Sequence, residues 1–126
     1  MKILYIVRGL SGSGKTTLAH QLSPAVHSAD DWFTDEDGDY FFNPAELANA
    51  HAECFSDVEF DMEADVPKIA VANTFSQAWE ADPYFKVAKK YGYSVFVIEC
   101  QNSFENVHEV PQETIDAMRD RWESIN

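Results

Sequence analysis

The chain opens with an apolar run, Ile3-Leu4-Tyr5-Ile6-Val7, and residues 9–16 then read GLSGSGKT. That octet is a full match to GxxxxGK[ST], the phosphate-binding loop that joins a buried strand to the start of a helix. Few folds can carry it. Glycines at Gly9, Gly12 and Gly14 leave the backbone room to turn successive N–H groups inward on an anion. The following stretch, KTTLAHQL from Lys15 to Leu22, lacks glycine and proline. It predicts a helix whose unbonded first-turn N–H groups and positive dipole end face the same anion. Gly9, Ser11, Gly12, Ser13, Gly14, Lys15, Thr16 and Thr17 are therefore the expected nucleotide site. Lys15 is expected to reach the β and γ phosphates of ATP and Thr16 to place its hydroxyl on Mg²⁺, with the Thr17 side chain on the helix surface.

Length and charge narrow the partners. At 126 residues the chain can build one domain with a core and has no room for a second. A formal net charge of -13 excludes broad nucleic-acid binding by phosphate neutralisation, which needs a basic surface, although a local basic site stays open. Cys54 and Cys100 lie far apart, without CxxC or metal spacing, and read as buried reduced thiols. No apolar run reaches the roughly 18 residues of a membrane helix, and the N-terminus shows no charged-then-apolar leader. A cytoplasmic protein without a membrane partner is the expectation.

Beyond the loop, strand-like and helix-like segments alternate. Ala25 to Ala29 reads as a short second strand ending at Asp30-Asp31, and Pro44 opens a helix running to about Phe60. Ile69 to Ala72 is a third strand closing on Asn73-Thr74; Gln77 to Tyr91 is helical, interrupted near Pro83 and stopped at Gly92. Ser94 to Glu99 is a fourth strand, and Pro111 to Ile125 a last helix with Ile115, Met118 and Trp122 on one face. Alternation of this kind predicts an α/β fold, a parallel sheet of about four strands flanked by helices. Ligands in such sheets bind beyond the carboxyl ends of the strands. Those ends would present Arg8-Gly9, Asp30-Asp31, Asn73-Thr74 and Glu99-Cys100 around the loop. Asp30 could take a proton from an attacking hydroxyl, with Asp31 beside it as a metal ligand; alternatively the pair caps the next segment. Asn73 is a candidate amide for the γ-phosphate or the Mg²⁺ shell.

The segments RGLSGSGKTTLA, SADDWF, DGDYFFNPAELANAH, VANTFSQAWEADPY and NVHEVPQETIDAMRDRWE span nearly the whole chain. Together they resemble the small P-loop kinases related to the polynucleotide 5′-hydroxyl kinase domain. The resemblance implies a P-loop NTPase fold with strand order 2-3-1-4, ATP and Mg²⁺ as ligands, and Asp30 as general base toward an acceptor hydroxyl. Lys15 and Thr16 match the family's phosphate and Mg²⁺ ligands. Several positions depart from the pattern. Phe33 stands where polynucleotide kinases carry an arginine for the acceptor phosphate, Ala72 where they have an acid, and Phe104-Glu105 where their lid has arginines. The segment between Glu99 and Asn106 is also short, and Glu109 stands where many relatives have glycine after histidine.

Phosphoryl transfer relies on positive charge around the γ-phosphate, so the scarcity of cations matters. Lys2 and Lys68 fall at strand starts, on the wrong edge, and Lys86, Lys89 and Lys90 on a helix returning to it. Beyond Lys15, Arg8 is the best-placed cation, expected to share the developing charge; Arg119 and Arg121 lie well into the last helix, where acidic neighbours compete for them. Asp35, Asp37, Asp39, Asn43 and Glu46 have EF-hand spacing, but Tyr40 occupies the position that needs glycine, so a turn at Asp37-Gly38 is the better reading. Its aromatics Tyr40, Phe41 and Phe42 are expected beneath or beside the acceptor pocket, and Trp32 and Phe33 either stack a ligand or serve as core. The histidines share no ligand spacing; His51, which matches a histidine position of the family, is expected in the core or, alternatively, near the acceptor site. The expectation is an ATP-dependent kinase for a nucleic-acid 5′-hydroxyl, a nucleoside or a small alcohol. Its competitor is a nucleotide-binding module that hydrolyses ATP slowly or not at all and acts through a protein partner.

Overall fold

Four short apolar runs form the sheet; the central two strands are buried by helices on both faces, while the two edge strands are only partly covered. The structure, a computed structural model, describes residues 1–10, 13–100 and 112–125. Strand β1 spans Ile3–Gly9, helix α1 Lys15–Leu22, β2 Ala25–His27, α2 Leu47–Glu63, β3 Lys68–Asn73, α3 Asp82–Tyr91, β4 Ser94–Cys100 and α4 Gln112–Asp120. All pairings are parallel, in the order β2-β3-β1-β4. The α/β fold and strand order expected from sequence are both present.

Side-chain alternation along β1 and β3 sorts the core into two layers. Leu4, Ile6, Ile69 and Val71 pack with Cys54, Val58 and Met62 of α2 and Tyr84, Val87 and Ala88 of α3. Val7, Ala70 and Ala72 meet Ala19 of α1 on the opposite face, where alanines let that helix approach the sheet closely. The large aliphatics of these layers are fully buried, each worth about 1.5–3 kcal/mol in transfer from water.

Several boundaries differ from those read in the sequence. The second strand stops at His27, and Ala29–Phe33 winds into a 3-10 turn that carries Asp30, because Ser28 caps it by accepting the Asp30 N–H on its Oγ. Pro44 begins a 3-10 turn, and α2 starts at Leu47 and runs on to Glu63. Pro83 does not kink a helix; it sits in the first turn of α3, where its missing N–H costs nothing. The last helix ends at Asp120, so Trp122 lies beyond it, and Pro111 is outside the described residues.

Candidate functional site

Register brings the strand ends together. Arg8 pairs with Asn73 on one side and Glu99 on the other, and Gly9 with Cys100. The chain leaves β1 at Gly9 and re-enters helix at Lys15. A β-carbon on Gly9 would stand 2.2 Å from Ser13 Oγ and 3.1 Å from the Cys100 carbonyl oxygen, so only glycine fits this close approach. Gly14, the α1 N-cap, has φ 84°, a left-handed conformation costly for other residues. Leu18 N donates to Gly14 O, the first bond of the helix, which leaves the N–H groups of Lys15, Thr16 and Thr17 without intrahelical acceptors. Ser13 Oγ is buried with no hydrogen-bond partner among the described residues. Such an orphan beside a ring of free N–H groups suits a phosphate oxygen. Ser11 and Gly12, two residues of the expected site, lie outside the described residues.

Lys15 is buried at the head of α1. Burial pulls its pKa below the ordinary lysine value, and the nearby negative charge of Asp30 is foremost among the groups opposing that fall, ahead of Cys100. Lys15 and Asp30 therefore share one electrostatic environment at the carboxyl edge. Thr16, Thr17 and Asp31 are exposed, open to a metal or its water shell. Desolvation raises the Asp31 pKa, opposed by a backbone hydrogen bond at Ser28 and by the charge of His27. The residues present thus fit a nucleotide phosphate, with Thr16 and Asp31 the groups that would hold Mg²⁺.

Asp30 is held from three sides. Its N–H donates to Ser28 Oγ at 3.2 Å, its carbonyl accepts from Thr34 Oγ1 at 2.9 Å, and its Oδ1 accepts from the Tyr40 hydroxyl at 3.2 Å. Tyr40 reaches it because residues 34–40 fold back on themselves. Thr34 and Tyr40 form an antiparallel bridge, and Asp35 Oδ1 accepts the N–H groups of Asp37 and Asp39 at 2.9 Å each. The carboxylates of Asp35, Asp37 and Asp39 cluster at this exposed turn, which the bridge makes a hairpin rather than a helix-flanked calcium loop.

Two expected site residues serve elsewhere. Arg8 is only 1% exposed and lies on the α2/α3 face, opposite α1. Its Nε donates to the Phe75 carbonyl at 3.0 Å, its Nη2 to the same oxygen, and its Nη1 to Glu99 Oε1 at 3.1 Å; the guanidinium carbon sits 3.9 Å from the centre of the Trp122 ring. This corrects the expectation that Arg8 shares the charge on the γ-phosphate: the arginine ties β1, β4 and the chain after β3 together. Trp122 joins the knot by donating its Nε1–H to Glu99 Oε1 at 2.7 Å, and Arg121 Nε donates to Ser76 Oγ at 3.1 Å. Asn73, also buried, accepts the Ala29 N–H at 2.8 Å and the Ser28 hydroxyl at 3.4 Å on Oδ1, while its Nδ2 donates to Cys54 Sγ at 3.6 Å. It thereby anchors the turn that bears Asp30 rather than offering its carbonyl to a ligand.

Sequence reasoning missed the Tyr40 hydroxyl on Asp30 and the capping role of Ser28. The spacing Ser28-Ala29-Asp30 was a legible signal for the cap; nothing local announces a hydroxyl ten residues downstream. Phe33 is buried with Ala29 and Ala50, whereas Trp32 remains exposed, and His51 is exposed on α2 rather than in the core. Phe104, Glu105, Asn106, His108 and Glu109 lie outside the described residues.

Known proteins share both sequence and architecture with this chain. A family model described as an AAA domain matches residues 4–125. NEDD4-binding protein 2 of Homo sapiens is 31% identical over 135 residues, covering 96% of this chain and 8% of that protein, so the chain spans a small part of its length. The uncharacterized protein PM0531 of Pasteurella multocida (strain Pm70) is 28% identical over 139 residues, 94% of this chain and 75% of its own. Among solved structures, the Mycobacterium tuberculosis APS kinase CysC superposes with a TM-score of 0.54 at 19% identity, over 95% of both chains. A sugar kinase from Janibacter sp. HTCC2649 does so at 0.53 and 17%, over 98% of this chain and 69% of that one. With its phosphate-binding loop, its 2-3-1-4 parallel sheet and a family match over residues 4–125, the chain belongs to this AAA domain family of P-loop kinase-like proteins.

Proposed function

We propose that the protein is a Mg²⁺-dependent kinase that transfers the γ-phosphoryl group of ATP to a hydroxyl, with a nucleic-acid 5′-hydroxyl, a nucleoside or a small alcohol as acceptor. The observation that carries this reading is the loop between β1 and α1, where Gly9 packs against Ser13 and Cys100, Gly14 turns at φ 84°, Ser13 Oγ is left without a partner among the described residues, and the first N–H groups of α1 have no intrahelical acceptors. The acceptor oxygen attacks the γ-phosphorus, the bond to the β–γ bridging oxygen breaks, ADP leaves, and the acceptor proton passes to the Asp30 carboxylate. Lys15 and the N–H groups at the start of α1 hold the phosphates in line. Thr16 and Asp31 are the residues that would hold Mg²⁺, which would neutralise phosphate charge.

Transfer of label from γ-labelled ATP to a panel of 5′-hydroxyl oligonucleotides, nucleosides and small alcohols tests it. Label should reach at least one acceptor, and Asp30→Asn should cut the rate by about 10²–10⁴ while ATP still binds. ATP binding without transfer to any acceptor overturns the kinase reading and favours the second one, a nucleotide-binding module acting through a protein partner. The engagement of Arg8 by Phe75, Glu99 and Trp122 favours that module, because it leaves Lys15 as the cation nearest the loop among the described residues.

A further inference from the structure

We infer that the molecule received beside Asp30 is a hydroxyl compound with a flat or apolar face and no anionic group, seated against the rings of Tyr40 and Phe42. The inference rests on the kinase reading for the fate of that hydroxyl, though not for its binding.

Tyr40 links the base to an aromatic platform. Its hydroxyl donates to Asp30, and its ring lies nearly parallel to that of Phe42, 9° apart with centroids 6.5 Å distant. Phe42 in turn meets the buried Phe33 edge-on at 5.1 Å. One side of this cluster is core and the other is open: Phe33 is 5% exposed and Phe42 45%. Phe42 thus leaves an aromatic face in water one ring away from a carboxylate, a pairing that can seat a ring and a hydroxyl together.

Charge decides what such a surface accepts. Residues 16–67 contain neither lysine nor arginine, and neither do residues 101–111. All nine lysines and arginines are among the described residues, and Lys15 is the one that shares its electrostatic environment with Asp30. Lys2 pairs with Asp65, Lys90 with Glu59 and Arg119 with Asp116, while Arg8 and Arg121 are held by the segment after β3. The 3-10 turn and the hairpin that carry Asp30 and Tyr40 also bear the exposed carboxylates of Asp31, Asp35, Glu36, Asp37 and Asp39. Away from Lys15, an acceptor phosphate placed there would meet like charge from the carboxylates of the turn and hairpin, whereas aromatic faces welcome a neutral ring and, through their quadrupole, a cation. Phe33, where relatives of this chain's fold would use a cation for an acceptor phosphate, is itself buried in the platform.

Calorimetric titration of the intact protein, saturated with Mg²⁺ and a non-hydrolysable ATP analogue, tests this with matched ligands. Thymidine and thymidine 3′-phosphate differ by one anionic group, and tyrosinol presents a cationic aromatic alcohol in place of a nucleoside. Thymidine, tyrosinol or both should bind, thymidine 3′-phosphate should bind about tenfold or more weakly than thymidine, and Phe42→Ala should weaken the bound alcohol about tenfold, the worth of one stacked ring. Phe42→Leu, which keeps an apolar side chain but removes the ring, repeats the test should Phe42→Ala fail to fold. Equal or tighter binding of the 3′-phosphate overturns the inference, as does binding of none of the three, or affinity untouched by both ring deletions. Binding that follows the expected order without label transfer overturns only the kinase reading.

Discussion

Lys15 illustrates how function costs stability at one residue. Its folded-state pKa is lowered by burial, so the fold disfavours its charge at neutral pH, and that penalty fades as pH rises through the lowered pKa toward the ordinary value of 10.5. Replacing it by methionine should therefore raise the melting temperature of the nucleotide-free protein and abolish the further rise that Mg-ATP gives the native chain; a lower melting temperature contradicts this. Burial lowers the pKa of Arg8 as well, but its guanidinium has partners in Phe75, Glu99 and Trp122, and Phe75 presents its carbonyl from a left-handed backbone, φ 48°, uncommon for a bulky residue. Arg8→Met should cost about 2–4 kcal/mol in urea unfolding, since it leaves the Phe75 carbonyl and Glu99 without their cation. Combined with Trp122→Ala it should cost less than the sum of the two, because they share one knot.

Among the elements, the junction after β2 governs the site. Asn73 at the end of β3 accepts the Ala29 N–H and so fixes where the Asp30 turn begins. Asn73→Ala should lower transfer to the acceptor while sparing Mg-ATP affinity, and should cost about 1–3 kcal/mol of stability for the unsatisfied N–H. Equal loss of nucleotide affinity would place Asn73 on the phosphates instead. Strands β1 and β3 were legible because a parallel strand buried on both faces writes itself as an unbroken apolar run, as in ILYIV and IAVA, and the edge strand β4 because SVFVIE is rich in β-branched and aromatic residues. The phosphate loop was legible because its chemistry demands its residues at fixed spacing. What sequence did not disclose depends on contacts distant along the chain: Arg8 meets Phe75 and Trp122, and Tyr40 meets Asp30 only once the hairpin closes. Proximity to the loop in sequence made Arg8 look like a ligand, while the alternation of β1 sends it to the other face.

For the whole molecule, the consequence of -13 net charge and few site cations is kinetic. An arginine finger is worth on the order of 10³ or more in rate, so a site that relies on Lys15, helix N–H groups and Mg²⁺ should turn over slowly. Steady-state assays of the purified protein should find a rate well below the roughly 1–100 s⁻¹ of protein kinases; a rate within that range contradicts the account. Likeness to an APS kinase and a sugar kinase extends to architecture, and the acceptor is a matter for the residues around Asp30. Everything proposed depends on the loop from Gly9 to Thr16 holding a nucleotide through Lys15. The most direct test is the affinity for Mg-ATP measured calorimetrically on the native protein and on Lys15→Met. The native chain should bind, and the variant should lose about tenfold to a hundredfold, the worth of a charged hydrogen bond to phosphate; unchanged affinity in Lys15→Met would contradict both the kinase and the nucleotide-binding module.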